Sequence, residues 1–250
     1  MQDIKYIRLK SIDSTNTYAK KNAKLFDDEF TVIQSKIQLS GRGRMDRVFI
    51  SDNEEGAWFS LVIKPKRNEV SPKQSLLIPI MAALAVAVSI EDLYKIKCGI
   101  KWPNDILINY RKVCGILCES QTVNDSINYM IIGIGINVNQ SSFNEQIKDI
   151  ATSLLIETEK NLPVDLLIQN ICGNLLSFYD KIKYGKTACI IDKWNQYSLM
   201  DNTVITYTKE QSSYTALSKG IDNTGRLIIE QDGEINYLDS NEIRLKIQGA

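Results

Sequence analysis

Histidine is absent from all 250 residues. With it go the commonest general base, the usual metal ligand and every Ser-His-Asp or Cys-His mechanism. Net charge is absent too, 30 Lys and Arg standing against 30 Asp and Glu. A general nucleic-acid binder shows a basic surplus, so a DNA- or RNA-binding role loses ground. Cysteines are few: Cys98, Cys114, Cys118, Cys172 and Cys189, an odd number without a C-x-x-C pair. They are expected to be small buried apolar residues in a reducing compartment. Cys114 and Cys118 share a face if their segment is a strand, but without histidine or nearby carboxylates they do not make a zinc site. The most apolar run, Leu76 to Ile90, contains Pro79 and falls short of the ~20 residues that span a bilayer. It reads as a buried core helix, and no membrane partner is expected. The opening Met1-Gln2-Asp3-Ile4-Lys5 is not a signal peptide. A cytoplasmic location is the expectation.

The apolar share of 44 % and the charged share of 24 % belong to a soluble globular protein. The length suits one sizeable domain, or one domain with a small appendix. Ile4 to Leu9 alternates like a strand, and Asp13 to Asn16 then offer helix N-caps. Phe30 to Ser35 and Trp58 to Ile63 read as further strands. Ser71-Pro72 opens a long core helix running to about Tyr94 or Lys95, Pro72 sitting well at its first turn. Gly99 to Trp102 is strand-like and precedes the turn signal Pro103-Asn104-Asp105. Ile106 to Asn109 and Val113 to Glu119 suggest a hairpin, and Tyr129 to Val138 an interior strand. Helical spacing returns from Pro163 to about Tyr184 and from Thr187 to Tyr197. After Asp201 four short strands, Thr203 to Thr208, Ser213 to Leu217, Arg226 to Glu230 and Ile235 to Leu238, alternate with Gly and Asn turns, the pattern of a small β-barrel or sandwich. A boundary near residue 200 is expected, giving units 1–200 and 201–250.

The densest chemistry lies in Gln38-Leu39-Ser40-Gly41-Arg42-Gly43-Arg44, followed by Arg47. Gly41 and Gly43 allow close backbone approach and φ > 0. The planar guanidinium fork, always protonated near neutrality, matches phosphate and carboxylate oxygens. The stretch reads as an anion-binding loop, for a phosphate or an acyl phosphate. A solvated surface loop or a flexible RNA-binding tract has the same composition, so context must decide.

Three further constellations supply context. Lys101-Trp102-Pro103-Asn104-Asp105, with Lys112 and Gly115, places amide and carboxylate groups at a strand end, where α/β proteins commonly put ligands; a plain hairpin with a packed Trp is the alternative. Ile132 to Asn137 holds Gly133 and Gly135, half of a dinucleotide fingerprint without its third glycine. Strand glycines instead suggest close approach of a ligand, and Asn137, polar at the end of an apolar strand, needs a partner. Ser14-Thr15-Asn16 is explained by a helix cap alone.

In this order the four constellations resemble the biotin protein ligases. That family shows S-T-N, Q-x-x-G-R-G-R-R-G-R, K-W-P-N-D, K-x-x-G-I-L-x-E and G-x-G-I-N-V, matched here by Ser14 to Asn16, Gln38 to Arg47, Lys101 to Asp105, Lys112 to Glu119 and Gly133 to Val138. Two positions depart from it: Met45-Asp46 stands where the family has Arg-Gly, and Phe49 where it has Trp. The loop is thus less basic, which bears on retention of an activated intermediate.

The resemblance implies an α/β (α+β) fold, with a mixed β-sheet catalytic domain of the class II synthetase-like type at 1–200 and a small SH3-like barrel at 201–250. It implies the short form without an N-terminal helix-turn-helix, since the S-T-N motif begins at residue 14; no DNA partner is expected. It implies ATP and Mg²⁺ with biotin as substrate, no metal cage of protein ligands, and transfer of biotin to a lysine of a biotin carboxyl carrier protein. Family members often pair through sheet edges, so a homodimer is implied as well. By carry-over, Ser14, Thr15, Asn16 and Gln38, with the Gly41-Arg42-Gly43 backbone and Gly115, would line the biotin pocket. Arg47, Trp102, Asn104 and Asn137 would face the nucleotide. Arg44 and Lys112 would neutralise the meeting carboxylate and α-phosphate, and Asp105 would act as base or orienter for the acceptor lysine. A lipoate or octanoate ligase, or a biotin sensor without catalysis, are the alternative readings of the same motifs.

Overall fold

A computed structural model describes residues 3–67, 69–209, 212–239 and 244–247. The side chains of Asp46 and of residues 244–247 lie outside that description, as do Met1 and Gln2 of the N-terminal reading.

The first strand, β1 (Lys5–Ile12), leads into α1 (Thr15–Asn22), and then β2 (Phe30–Gln38) and β3 (Ala57–Ile63) follow. Next come α2 (Pro72–Ser75) and α3 (Ile78–Tyr94), and the strands β4 (Gly99–Lys101), β5 (Asp105–Ile108), β6 (Arg111–Val123) and β7 (Ser126–Ile136). Helices α4 (Leu154–Thr158), α5 (Val164–Lys183) and α6 (Ala188–Tyr197) close this part. The seven strands form one mixed sheet in the order β1-β2-β3-β7-β6-β5-β4. β1 pairs with β2 in parallel, through the α1 crossover, and the remaining pairs are antiparallel.

Both faces of the sheet are covered. α3 and α5 pack on one, and α1 on the other with Ala19, Ala23 and Phe26 against Ile33, Val62 and Ile131. A strand covered on both faces reads as a continuous apolar run rather than an alternation, which is why all seven residues of β3 are buried. Two hairpins set the register around the future site. Asn109 and Tyr110 join β5 to β6 with φ of 49° and 62°, and Asn124 and Asp125 join β6 to β7 with φ of 47° and 58°. Positive φ at both central residues is the turn whose twist matches that of its strands.

The expected single core helix is two. Ser71 and Gln74 form a capping box around Pro72, α2 stops at Ser75, and α3 begins only at Ile78. Together Pro72–Tyr94 are long and apolar enough by composition to cross a bilayer, yet α3 is enclosed by its neighbours and buries twelve side chains, among them Met81, Leu84 and Ile90. β2 also runs three residues beyond the expected Ser35, so Gln38 ends a strand rather than opening a loop.

The C-terminal strands β8 (Asp201–Lys209), β9 (Ser212–Ile221), β10 (Leu227–Gln231), β11 (Glu234–Leu238) and β12 (Arg244–Ile247) make a second, wholly antiparallel sheet in the order β11-β10-β9-β8-β12. Four of them coincide with the expected runs; β12 was not anticipated.

The cysteines divide. Cys98, Cys114 and Cys172 are buried, Cys118 is half-buried and Cys189 is exposed, which corrects the expectation that all five are interior. Burial pushes the Cys98 and Cys172 thiols up to about 12, and that of Cys114 higher. Burial, with Glu119 beside it, pushes Cys118 up to about 12 as well. The thiolate is the reactive form, so a disulfide-exchange reagent should titrate one thiol per native chain rapidly, and Cys189→Ser should abolish that fast phase. A fast phase persisting in the variant would show that the interior thiols are accessible.

Candidate active site

The S-T-N motif sits where β1 turns into α1. Ser14 is the N-cap, in extended conformation, its Oγ accepting from the Thr17 N–H. That local role leaves Thr15 and Asn16 free to point at the sheet, and both are buried. Gln38 Oε1 accepts from Thr15 N at 2.8 Å and from Thr15 Oγ1 at 3.0 Å, while Gln38 Nε2 donates to Ser51 Oγ at 3.1 Å. Ser60 Oγ donates to Asn16 Oδ1 at 2.6 Å and lies 2.8 Å from Thr15 Oγ1. Asn16 Nδ2 donates to Leu117 O at 3.1 Å and to Glu119 Oε2 at 3.0 Å. Buried polar groups require partners, and this network satisfies its members reciprocally. It also fixes which face of each amide a ligand meets.

Ser60, Ser51 and Glu119 also take part in the network, although none of them is a site residue expected from the motifs. Ser60 carried a signal: it is the lone hydroxyl in the otherwise apolar strand Ala57–Ile63. Glu119 ended a recognised motif without a role.

The arginine loop is folded back on itself. Gly41 O accepts from Phe49 N at 2.8 Å and Gly43 N donates to Arg47 O at 2.7 Å. Neither glycine has positive φ; the left-handed residue is Met45, at φ 54°. The reason for Gly41 is space, since a Cβ there would lie 2.3 Å from Phe49 O and from Ser51 Oγ. Gly41 is buried at the base of the loop, where it has a packing role, and it is not among the residues bordering the two cavities described below.

The three arginines are used differently. Arg42 reaches Glu119, Nη1 lying 3.3 Å from Oε2. Arg44 Nη1 donates to Asn104 Oδ1 at 3.2 Å, while its Nη2 is buried without a partner among the described residues. Burial lowers the pKa of Arg44, Asp105 draws it back up and Arg47 lowers it; the guanidinium stays charged throughout. Arg47 is exposed at the cavity rim. A buried donor left unmade costs about 1–3 kcal/mol, so Arg44 Nη2 has hydrogen-bonding capacity that the described residues do not use.

Across the cavity, the K-W-P-N-D segment connects β4 to β5 through a cis Trp102–Pro103 bond. Asn104 Nδ2 donates to Ile116 O at 2.5 Å, which aims its Oδ1 at Arg44. Asp105 Oδ1 pairs with Lys112 Nζ at 2.6 Å. Trp102 borders the cavity but is only 2 % exposed, and its indole N–H is donated to Gly225 O, in the turn between β9 and β10, at 2.9 Å.

Ser14, Thr15, Asn16, Gln38, Arg42, Gly43, Arg44, Arg47, Trp102, Asn104, Asp105, Lys112 and Gly115 therefore border one cavity. Asn137 does not. It is buried, with Nδ2 donating to Thr152 O at 3.0 Å, and borders a neighbouring cavity with Phe143, Asn144 and Ala151. Phe49 and Lys112 border both cavities, and Lys112 Nζ stands 5.8 Å from the Phe49 ring centre. The strand glycines serve this partition. A Cβ on Gly115 or Gly135 would come within 2.9 Å and 2.7 Å of the Phe49 ring, and one on Gly133 within 2.1 Å of Asn16 Oδ1. The close approach inferred from these glycines is made by the protein's own side chains.

Two cavities thus meet at Lys112, and one of them is bordered by the half-buried Arg44, whose Nη2 has no partner among the described residues. The chain belongs to the biotin/lipoate A/B protein ligase family, whose model matches residues 9–137, and the biotin protein ligase C-terminal domain matches residues 203–246. It is 35 % identical over 237 residues to the bifunctional ligase/repressor BirA of Bacillus subtilis, covering 94 % of this chain and 72 % of that protein. Over 132 residues it is 34 % identical to the biotin–[acetyl-CoA-carboxylase] ligase of Paracoccus denitrificans, covering 50 % of this chain and 51 % of that one. Among solved structures it resembles the biotin protein ligase of Aquifex aeolicus in complex with biotin and ATP. The TM-score is 0.77 at 29 % identity, over 98 % of this chain and 99 % of that one.

Ser60→Ala strips the donor from a wholly buried acceptor. It should destabilise the protein by about 1–3 kcal/mol, read by thermal melting as a fall of roughly 2–4 °C per kcal/mol. An unchanged Tm would mean that Asn16 does not depend on Ser60.

Proposed function

We propose that the protein is an ATP-dependent biotin protein ligase: it adenylates biotin to biotinyl-5′-AMP with release of pyrophosphate, then transfers biotin to a lysine of an acceptor protein. The observation that carries the reading is the half-buried Arg44 guanidinium, its Nη2 buried without a partner among the described residues, bordering the same cavity as the Asp105–Lys112 pair. In the first step the biotin carboxylate attacks the α-phosphorus, an acyl–phosphate bond forms and pyrophosphate leaves. A carboxylate is already anionic, so no base is needed, and a chain without histidine suffices. The barrier is repulsion between two anions, which preorganised cations relieve without reorganising during the reaction.

We assign Thr15, Asn16 and Gln38, with Ser14 and the backbone of Arg42, Gly43 and Gly115, to the ureido end of biotin; their buried amide and hydroxyl network supports this. Arg44 and Lys112 receive the carboxylate and α-phosphate, and Asn104 orients Arg44. The neighbouring cavity, bordered by Asn137 and Phe49, is assigned to the nucleotide, with Arg47 at the rim for phosphate oxygens. In the second step the neutral acceptor amine attacks the acyl carbon, a C–N bond forms as the acyl C–O bond to the phosphate breaks, AMP leaves and the proton lost from the amine nitrogen passes to solvent. Asp105 acts as orienter, because its Oδ1 is engaged by Lys112.

The site suits a Mg²⁺ carried on the triphosphate rather than caged by the protein. Asp105 is the only carboxylate bordering the first cavity among the described residues, Asn104 adds a second hard oxygen, and Mg²⁺ is commonly held by one carboxylate and substrate phosphates. Bound there, it would neutralise phosphate charge.

Relatives named for acetyl-CoA carboxylase support a carboxylase as acceptor, and we place the target lysine in its biotin carboxyl carrier protein. The two family matches and the two separate sheets support a catalytic unit at 1–200 and a C-terminal domain at 201–250. Five free cysteines accord with a cytoplasmic location.

Purified protein should release pyrophosphate with biotin and ATP. Turnover with lipoate but not biotin would replace the reading with a lipoate ligase; biotin binding without pyrophosphate release would leave a sensor. Arg44→Ala and Lys112→Ala should each slow adenylation by about 10²–10³, or 3–4 kcal/mol in the barrier. Near wild-type single-turnover rates in both variants would remove the electrostatic argument.

A further inference from the structure

We propose that Trp102 and Asp222 are positioning residues for adenylation, through which the C-terminal sheet sets the place of the segment that holds Arg44 and Lys112. The inference rests on the ligase reading above and adds a part that the reading does not require.

The starting observation is the hydrogen bond from Trp102 Nε1 to Gly225 O, 2.9 Å long and buried. It is the one polar atom of a side chain that is followed, after Pro103, by Asn104 and Asp105, which hold the two cations. A shift of Trp102 therefore moves both holders together. The acceptor carbonyl belongs to the turn between β9 and β10, and that turn is fixed more tightly than a surface hairpin needs. The Asp222 carboxylate accepts from Thr224 N at 2.8 Å, Thr224 Oγ1 at 2.7 Å, Arg226 N at 3.0 Å and Arg226 Nε at 2.8 Å. Arg226 Nη2 adds a contact at 2.7 Å, and its guanidinium also lies over the Tyr237 ring. Charge-assisted bonds of this kind are roughly twice as strong as neutral ones. They outweigh the desolvation of Asp222 and hold its carboxyl below the ordinary range.

Gly225 is locked in place from the other side. Its φ is +86°, and a Cβ there would stand 3.0 Å from Ile80 Cγ1 and 3.4 Å from Leu76 O, so the turn lies against the start of α3. The other end of β4 is held by the same half of the chain: Leu199 N donates to Ile100 O at 2.9 Å, and Leu199 packs on Gly99. The strand that delivers the K-W-P-N-D segment is thus gripped before and after Lys101 by residues from beyond position 198. Neither Trp102 Nε1 nor Asp222 faces the reacting atoms; both act through Asn104 and Asp105.

The test uses the full-length protein and two variants. Trp102→Phe keeps an aromatic side chain, though a smaller one, and deletes the donor; Asp222→Asn lies outside both cavities and loosens the turn. Biotin affinity is measured by calorimetry, and biotinyl-AMP formation by single turnover and steady state. In both variants biotin affinity should stay at the wild-type value, because the ureido network is untouched, while kcat for adenylation falls by about tenfold to a hundredfold, the cost expected of a small misplacement. The double variant should be no slower than the worse single one, since both act through one contact. If Trp102→Phe does not fold, Asp222→Asn decides alone. A folded variant with wild-type kcat overturns the proposal, as does a loss of biotin affinity equal to the loss of kcat, which would mark a merely structural role. Wild-type protein that forms no biotinyl-AMP overturns the ligase reading itself, a result distinct from an unimpaired variant.

Discussion

The repulsion between a carboxylate and a triphosphate is the constraint around which this molecule is arranged. Water screens such charges cheaply; a dry cavity does not, and there the compensating cations must already be in place. On the proposed reading those cations are Arg44 and Lys112, each paired with one neutral or acidic oxygen: Arg44 with Asn104 Oδ1 and Lys112 with Asp105 Oδ1. Arg44 keeps a buried nitrogen without a partner among the described residues, so part of its hydrogen-bonding capacity is reserved. Full neutralisation by the protein would leave nothing for the substrate.

The rest of the architecture follows from keeping those groups still. The hairpin of β5 and β6 puts Asp105 opposite Gly115 and brings Lys112 back within reach. The S-T-N helix start, β2 and β3 contribute a polar network with no exposed member, so this end of the cavity is already hydrogen-bonded within the protein. Glu119 links the two ends, since it takes Asn16 from the helix and Arg42 from the loop. The Phe49 ring then stands over Gly115 and Gly135 as the wall between two cavities, with the lysine at its edge.

A buried tryptophan ties this machinery to the C-terminal sheet. That sheet shares no strand with the larger one, yet one of its turns receives the Trp102 N–H and lies against the first residues of α3. The small sheet is thereby part of the framework of the site.

Much of this was legible in the chain alone. The order and spacing of Ser14 to Asn16, Gln38 to Arg47, Lys101 to Asp105 and Lys112 to Asn137 identified the family and the cavity. Period and turn chemistry located four of the five C-terminal strands and the hairpins, because those signals are local. The folded structure alone decided what depends on distant neighbours. That Gly41 provides space rather than positive φ, that Asn137 borders the second cavity, and that Trp102 donates its N–H to the turn between β9 and β10 are outcomes of packing across the sheet. The same holds for Ser60, Ser51 and Glu119, each with partners far along the chain, and for Cys189, whose exposure follows from the face of α6 it occupies. Sequence spacing encodes the period of an element and the chemistry of its turns; which buried donor meets which acceptor is set only when the sheets and helices close on one another.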